Sequence, residues 1–143
     1  MDPVSLCASI LAIISAAQSG LNVLRGIKQC WEAPREIEDL IIELESLQVT
    51  LRDVATYLEA ATLVRYSESL SQPVLRASAI VDAMVVLLLS PPFRMTHVSS
   101  ASRARLVWLR HKNQIKSLFE NLKIVRTDLS LKLGLVTAYV QPD

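Results

Sequence analysis

The chain has 143 residues, a formal net charge of +1, 51% hydrophobic residues and 23 leucines. That length argues for one domain, and the leucine content excludes a disordered chain. Three glycines and six prolines cannot supply the turns that an all-β sandwich needs every ~8–12 residues. Near-neutral charge and only seven aromatics exclude a stacking platform on a basic groove, so no nucleic-acid partner is expected.

The start, Met1-Asp2-Pro3, is acidic and lacks the basic n-region of a secretory signal. It reads instead as a helix opening: a carboxylate cap, then proline at the first helical position. From Val4 to Leu24 there are 21 residues without a charge, the length a membrane-spanning helix needs. Arg25 and Lys28 follow, and the helix is expected to end near Gln29 or Cys30. Ala33-Pro34 breaks the chain, and a second helix is expected to about Ala61. Its apolar positions Ile37, Leu40, Leu44, Leu47, Leu51, Val54 and Leu58 step by 3 and 4, an unbroken heptad seam. Glu36, Asp39, Glu43 and Glu45 are expected on its solvated face.

The polar run Arg65–Ser69 separates a third helix, opened by Ser71-Gln72-Pro73 and stopped by Pro91-Pro92. Val74, Ala77, Val81, Met84 and Leu88 form its stripe. Val85, Val86, Leu87 and Leu89 fill its other faces, so this helix is expected to be mostly enclosed. After a loop with serine caps, a fourth helix is expected from Ser102 to Leu133, about 48 Å long. Trp108, Ile115, Leu118, Leu122, Val125 and Leu129 mark its buried stripe, and Gly134 reads as its stop. The expected fold is all-α, a bundle of four main helices with a long C-terminal helix over residues 1–134. Residues 135–143 read as a tail or the start of a linker.

No catalytic constellation is visible. His97 and His111 stand alone, with no Cys, Ser or Asp at motif spacing. The run Gly20–Lys28 fails as a phosphate loop: Ile27 separates the second glycine from the lysine, and no Ser or Thr follows it. Cys7 and Cys30 make neither a zinc site nor a disulfide framework and point to a reducing, intracellular setting. The expectation is therefore no enzyme, no metal and no cofactor.

Two features carry information. Ala8, Ala12, Ala16 and Gly20 stand four apart on the first helix. Such a stripe lets helix backbones approach closely in lipid. Leu6, Ile10, Ile13, Ile14, Leu21 and Leu24 lie on its other face. The stripe also suits a core helix packed against helices two and four, since globular cores use alanine stripes too. The second feature is charge asymmetry: residues 32–45 balance at −5 and residues 94–126 at +7. The bases would hold anionic lipid at about 1 kcal/mol each, or would pair with the acids of helix two across the bundle.

Met1–Leu6, the small-residue-rich first helix, Glu32–Ile37 and Glu43–Leu47 resemble the fungal HeLo-like N-terminal domain. So do Arg105–Trp108, Lys112–Leu118 and Leu129–Leu131 near the end. The resemblance runs from Met1 to about Leu133 and is weakest over residues 62–101. It implies a helical cell-death effector domain of fungal NOD-like (STAND) receptors or of their smaller partners. Such a domain is cytoplasmic at rest and, once oligomerised, releases its N-terminal helix into the plasma membrane. These 143 residues hold no nucleotide-binding domain, so the chain is either part of such a receptor or answers to a separate upstream STAND receptor.

The leading expectation is thus a membrane-disrupting effector acting on anionic lipids as a homo-oligomer. Val4, Leu6, Ala8, Ile10, Ala12, Ile13, Ile14, Ala16, Gly20, Leu21 and Leu24 are its inserting surface. Arg25 and Lys28 would halt insertion at the headgroups, with Arg103, Arg105, Arg110, Lys112 and Lys116 as the basic patch. The alternative is a non-lytic module that recruits partners by helix-to-helix contact.

Overall fold

In the computed structural model, which describes residues 3–30, 35–60, 67–90 and 101–140, every element is helical and no strand occurs among the described residues. The four helices are α1 (Pro3–Cys30), α2 (Arg35–Ala60), α3 (Ser67–Leu88) and α4 (Ala101–Val140). The all-α bundle with a long last helix is what the periodicity dictates. The Asp2 cap, the Ala33-Pro34 break, the Pro91-Pro92 stop and the caps at Ser99 and Ser100 lie outside the described residues.

The seven seam positions of α2 are all buried, none more than 4% exposed. A further column, Ile41, Ala55 and Gln48, repeats every seven residues beside them and is also buried. The stripe is therefore three positions wide, as a helix packed on two neighbours requires. On α1 the buried face is Leu6, Ile10, Ile13, Ala17, Leu21, Leu24 and Ile27. Burying its six large side chains stabilises the fold by on the order of 10 kcal/mol gross.

Polar links fix the directions. Arg25 meets Glu45 and Lys28 meets Glu38, so rising numbers on α1 pair with falling numbers on α2, and the two are antiparallel. Glu36 with Lys112 and Glu43 with Arg126 make α2 and α4 parallel. Gly20 faces Val85 and Leu88 near the end of α3. Only a parallel α3 can then lie along α1 for its whole length. α1 packs between α2 and α3, and α4 packs between the same two on the far side. So α1 and α4 face each other across the diagonal, and α1 packs on α2 and α3 rather than on α2 and α4. Heptad spacing defines a buried face but does not choose the partner.

Two punctuation residues are overridden. α3 begins at Ser67, and Pro73 lies inside it. Proline forgoes one backbone bond there, but Leu70 and Val74 are fully buried on either side and anchor the turn. α4 runs through Gly134 to Val140, about 60 Å. No glycine has positive φ, so Gly134 makes no left-handed stop. Val136 is buried beyond it, and Thr137 Oγ1 donates to the Leu133 carbonyl at 2.8 Å.

α3 is also less enclosed than its composition suggests. Val86 is 73% exposed, and Leu75, with Leu89 just past the helix end, also faces outward. An apolar residue on an outward face is indistinguishable, by composition alone, from one in a core.

Candidate functional site

The sequence places the candidate surface on α1, and the structure divides it. Val4 is 80% exposed, and Ala8 and Ala12 are also exposed. Leu6, Ile10, Ile13, Leu21 and Leu24 are in the core, and Ile14 is half-buried. The small-residue ladder does not hold one face. Residues four apart advance by about 400°, so the ladder drifts about 40° per step. It turns from exposed Ala8 and Ala12, through half-buried Ala16, to buried Gly20. Gly20 meets Leu88 of α3 and Leu44 of α2 inside the bundle. In this fold the four residues are not a single contact surface.

Polar groups tie α1 down. Arg25 lies 3.5 Å from Glu45 and Lys28 3.0 Å from Glu38, each side chain about half exposed. Such pairs contribute about 0–1 kcal/mol and weaken with salt. Gln48, buried on α2, donates to the Ile14 carbonyl at 3.1 Å and to Gln18 at 3.3 Å. Sequence reasoning missed Gln48. Its signal was the seven-residue column with Ile41 and Ala55, which marks a buried position. Cys7 of α1 is half-buried. Burial pushes its thiol above the ordinary range, and the nearby Glu59 carboxylate adds to the effect.

The bases fall into two sets. Lys112 is 4.0 Å from Glu36, and Arg126 bonds Glu43, which is buried rather than on the solvated face assigned to it. The Arg126 guanidinium covers its carboxylate. Arg105, Arg110 and Lys116 are exposed, with no carboxylate within 4.0 Å among the described residues. The Arg103 side chain lies outside the described residues. The basic patch is thus on α4, at the corner of the bundle diagonal to α1.

A cleft of about 300 Å³ lies between α2 and α4. Leu40, Trp108 and Phe119 line it, and Glu36, Asp39, Lys112, Lys116 and Glu120 surround it with charges of both signs. The Trp108 Nε1–H is buried without a hydrogen-bond partner among the described residues. His111 Nδ1 lies 3.0 Å from the Val107 carbonyl one turn back, and His97 lies outside the described residues. No group of three His, Cys, Asp or Glu that could hold a metal occurs among the described residues.

Among the described residues two helices are long and apolar enough, by length and composition, to cross a membrane, over Val4–Gln29 and Ser69–Leu88. About a third of the first and two-fifths of the second are buried in the bundle.

Fold and site together define a class: an all-α bundle built on an apolar first helix whose outer face is open to solvent. The chain matches the family described as pigment biosynthesis cluster protein PigL N-terminal over residues 1–138, and it belongs to that family. No curated protein and no solved structure gives a significant match.

Proposed function

We propose that this domain is a membrane-targeting effector that disrupts anionic membranes when it is clustered, and that α1 is the element that enters the lipid. The finer relationship, to the HeLo-like cell-death domains, is part of the same proposal. So are an upstream STAND receptor as trigger and relocation from cytoplasm to plasma membrane.

The observation that supports it is the composition of α1. Val4–Gln29 is long and apolar enough to span a bilayer, yet only about a third of it is covered by the bundle. Its charges, Arg25 and Lys28, stand at the end where headgroups would receive them. On release they exchange Glu45 and Glu38 for lipid phosphates, a replacement of like by like.

Clustering supplies the drive. Bringing several copies together makes joint insertion of their first helices favourable where single insertion is not. The Ala8 and Ala12 surface then allows close approach between inserted copies. Arg105, Arg110 and Lys116 hold the opened domain to anionic headgroups. Because α4 is diagonal to α1, these bases and α1 engage the bilayer at different stages.

Dye release from anionic liposomes by the clustered protein tests this. Ala12 is exposed, so Ala12→Glu leaves the fold intact but places a carboxylate within the inserting helix. Leakage should fall roughly tenfold or more. Unchanged leakage by Ala12→Glu contradicts insertion of α1.

A second reading, a non-lytic interaction module, is favoured by one observation. The buried face of α1 is fully satisfied by α2 and α3 and latched by Gln48. It expects stable protein complexes and no sedimentation with vesicles.

A further inference from the structure

The bundle is split by charge, and the split follows its geometry. α1 carries two charged residues, Arg25 and Lys28, and α3 carries three, Glu68, Arg76 and Asp82. α2 carries nine and α4 ten. The apolar helices alternate with the charged ones along the chain, yet the fold sets α1 against α3 and α2 against α4. The α2/α4 seam is joined by Glu43–Arg126 and Glu36–Lys112. Among the described residues no ion pair crosses the α1/α3 seam, where Gly20 packs on Val85 and Leu88.

Resting on the membrane reading above, we infer that the domain meets the bilayer with its α1/α3 side, and that α3 lies in the interface plane as a second lipid-contacting helix. Exposed large apolar side chains stand on both helices, among few charges. Val4 and Leu11 face out from α1, and Leu75 and Val86 from α3, with Leu89 just past its end; exposed Asp82 is the one charge on the face that Leu75 and Val86 share. α3 lies in the plane and does not cross it, because its two ends continue into α2 and α4. A crossing α3 would place those helices on opposite sides of the membrane. It would break the two ion pairs between them and strip buried Glu43 of Arg126. An amphipathic helix lying flat buries its apolar face about 5–10 Å deep without that rupture.

The test is sedimentation and dye release with phosphatidylcholine vesicles, with and without phosphatidylserine. Val86→Glu alters a residue 73% exposed in the bundle, so its unfolding midpoint should match the parent's. Its vesicle binding should fall roughly tenfold on both compositions. Val49→Glu, on the exposed face of α2 diagonal to α3, should bind as the parent does. If Val86→Glu binds and leaks like the parent while Ala12→Glu is silent, α3 takes no part, this inference fails and the proposed function stands. If the parent binds only with phosphatidylserine and added salt abolishes that binding, the bases of α4 dock the domain and the inference is overturned. If the clustered parent leaves both kinds of vesicle sealed, the inference and the proposed function fall together.

Discussion

Glu43 shows how a single residue escapes a pattern. By number it belongs with Glu36, Asp39 and Glu45 on a solvated acidic face. In the fold it is 6% exposed, because α4 covers it and brings Arg126 onto its carboxylate. A buried ion pair is poor evidence of net stability, since removing two charges from water offsets most of their attraction. Removing one partner is a different matter. Arg126→Met should cost about 2–4 kcal/mol by leaving a carboxylate enclosed and unpaired. Adding Glu43→Leu should recover most of that loss, as urea unfolding of the single and double variants will show. Equal stability of the two would mean that the pair is effectively in water.

At the scale of elements, the heptad seam of α2 was legible residue by residue. All seven positions are in the core, because a 3–4 spacing sustained over six turns leaves a helix one face to bury. The buried face of α1 was legible in the same way through Leu6, Ile10, Ile13, Leu21 and Leu24. The ends were less so. Gly134 and Pro73 are local signals, and burial of Val136 and Leu70 outweighs them. A Cβ at Gly134 would meet nothing within 4 Å. Gly134→Ala should therefore stabilise the protein by up to about 1 kcal/mol, through helix propensity and a less flexible unfolded chain. A rise in the thermal midpoint checks this; a fall would mean that position 134 needs glycine's freedom after all. The candidate site was legible as a list of residues but not as a surface. Five of its apolar members face inward, and the ladder of small residues spirals out of any single plane.

For the whole molecule the informative fact is adjacency, which periodicity does not encode. An alternation of charge-poor and charge-rich helices along the chain becomes a charge-poor side and a charge-rich side only because α1 packs on α3 and α4 on α2. The same arrangement sets the cost of the proposed insertion. To enter lipid as proposed, α1 would have to leave a core interface worth on the order of 10 kcal/mol, and lipid contact would have to replace it. Linking α1 to α2 tests this most directly. Arg25 and Glu45 are about half exposed and 3.5 Å apart, so Arg25→Cys and Glu45→Cys can be bridged by a reducible bis-maleimide once Cys7 and Cys30 are replaced by serine. The bridged, clustered protein should leave anionic liposomes sealed and regain full dye release on reduction. Equal leakage before and after the bridge is cut would show that α1 never departs from α2, and would contradict the account.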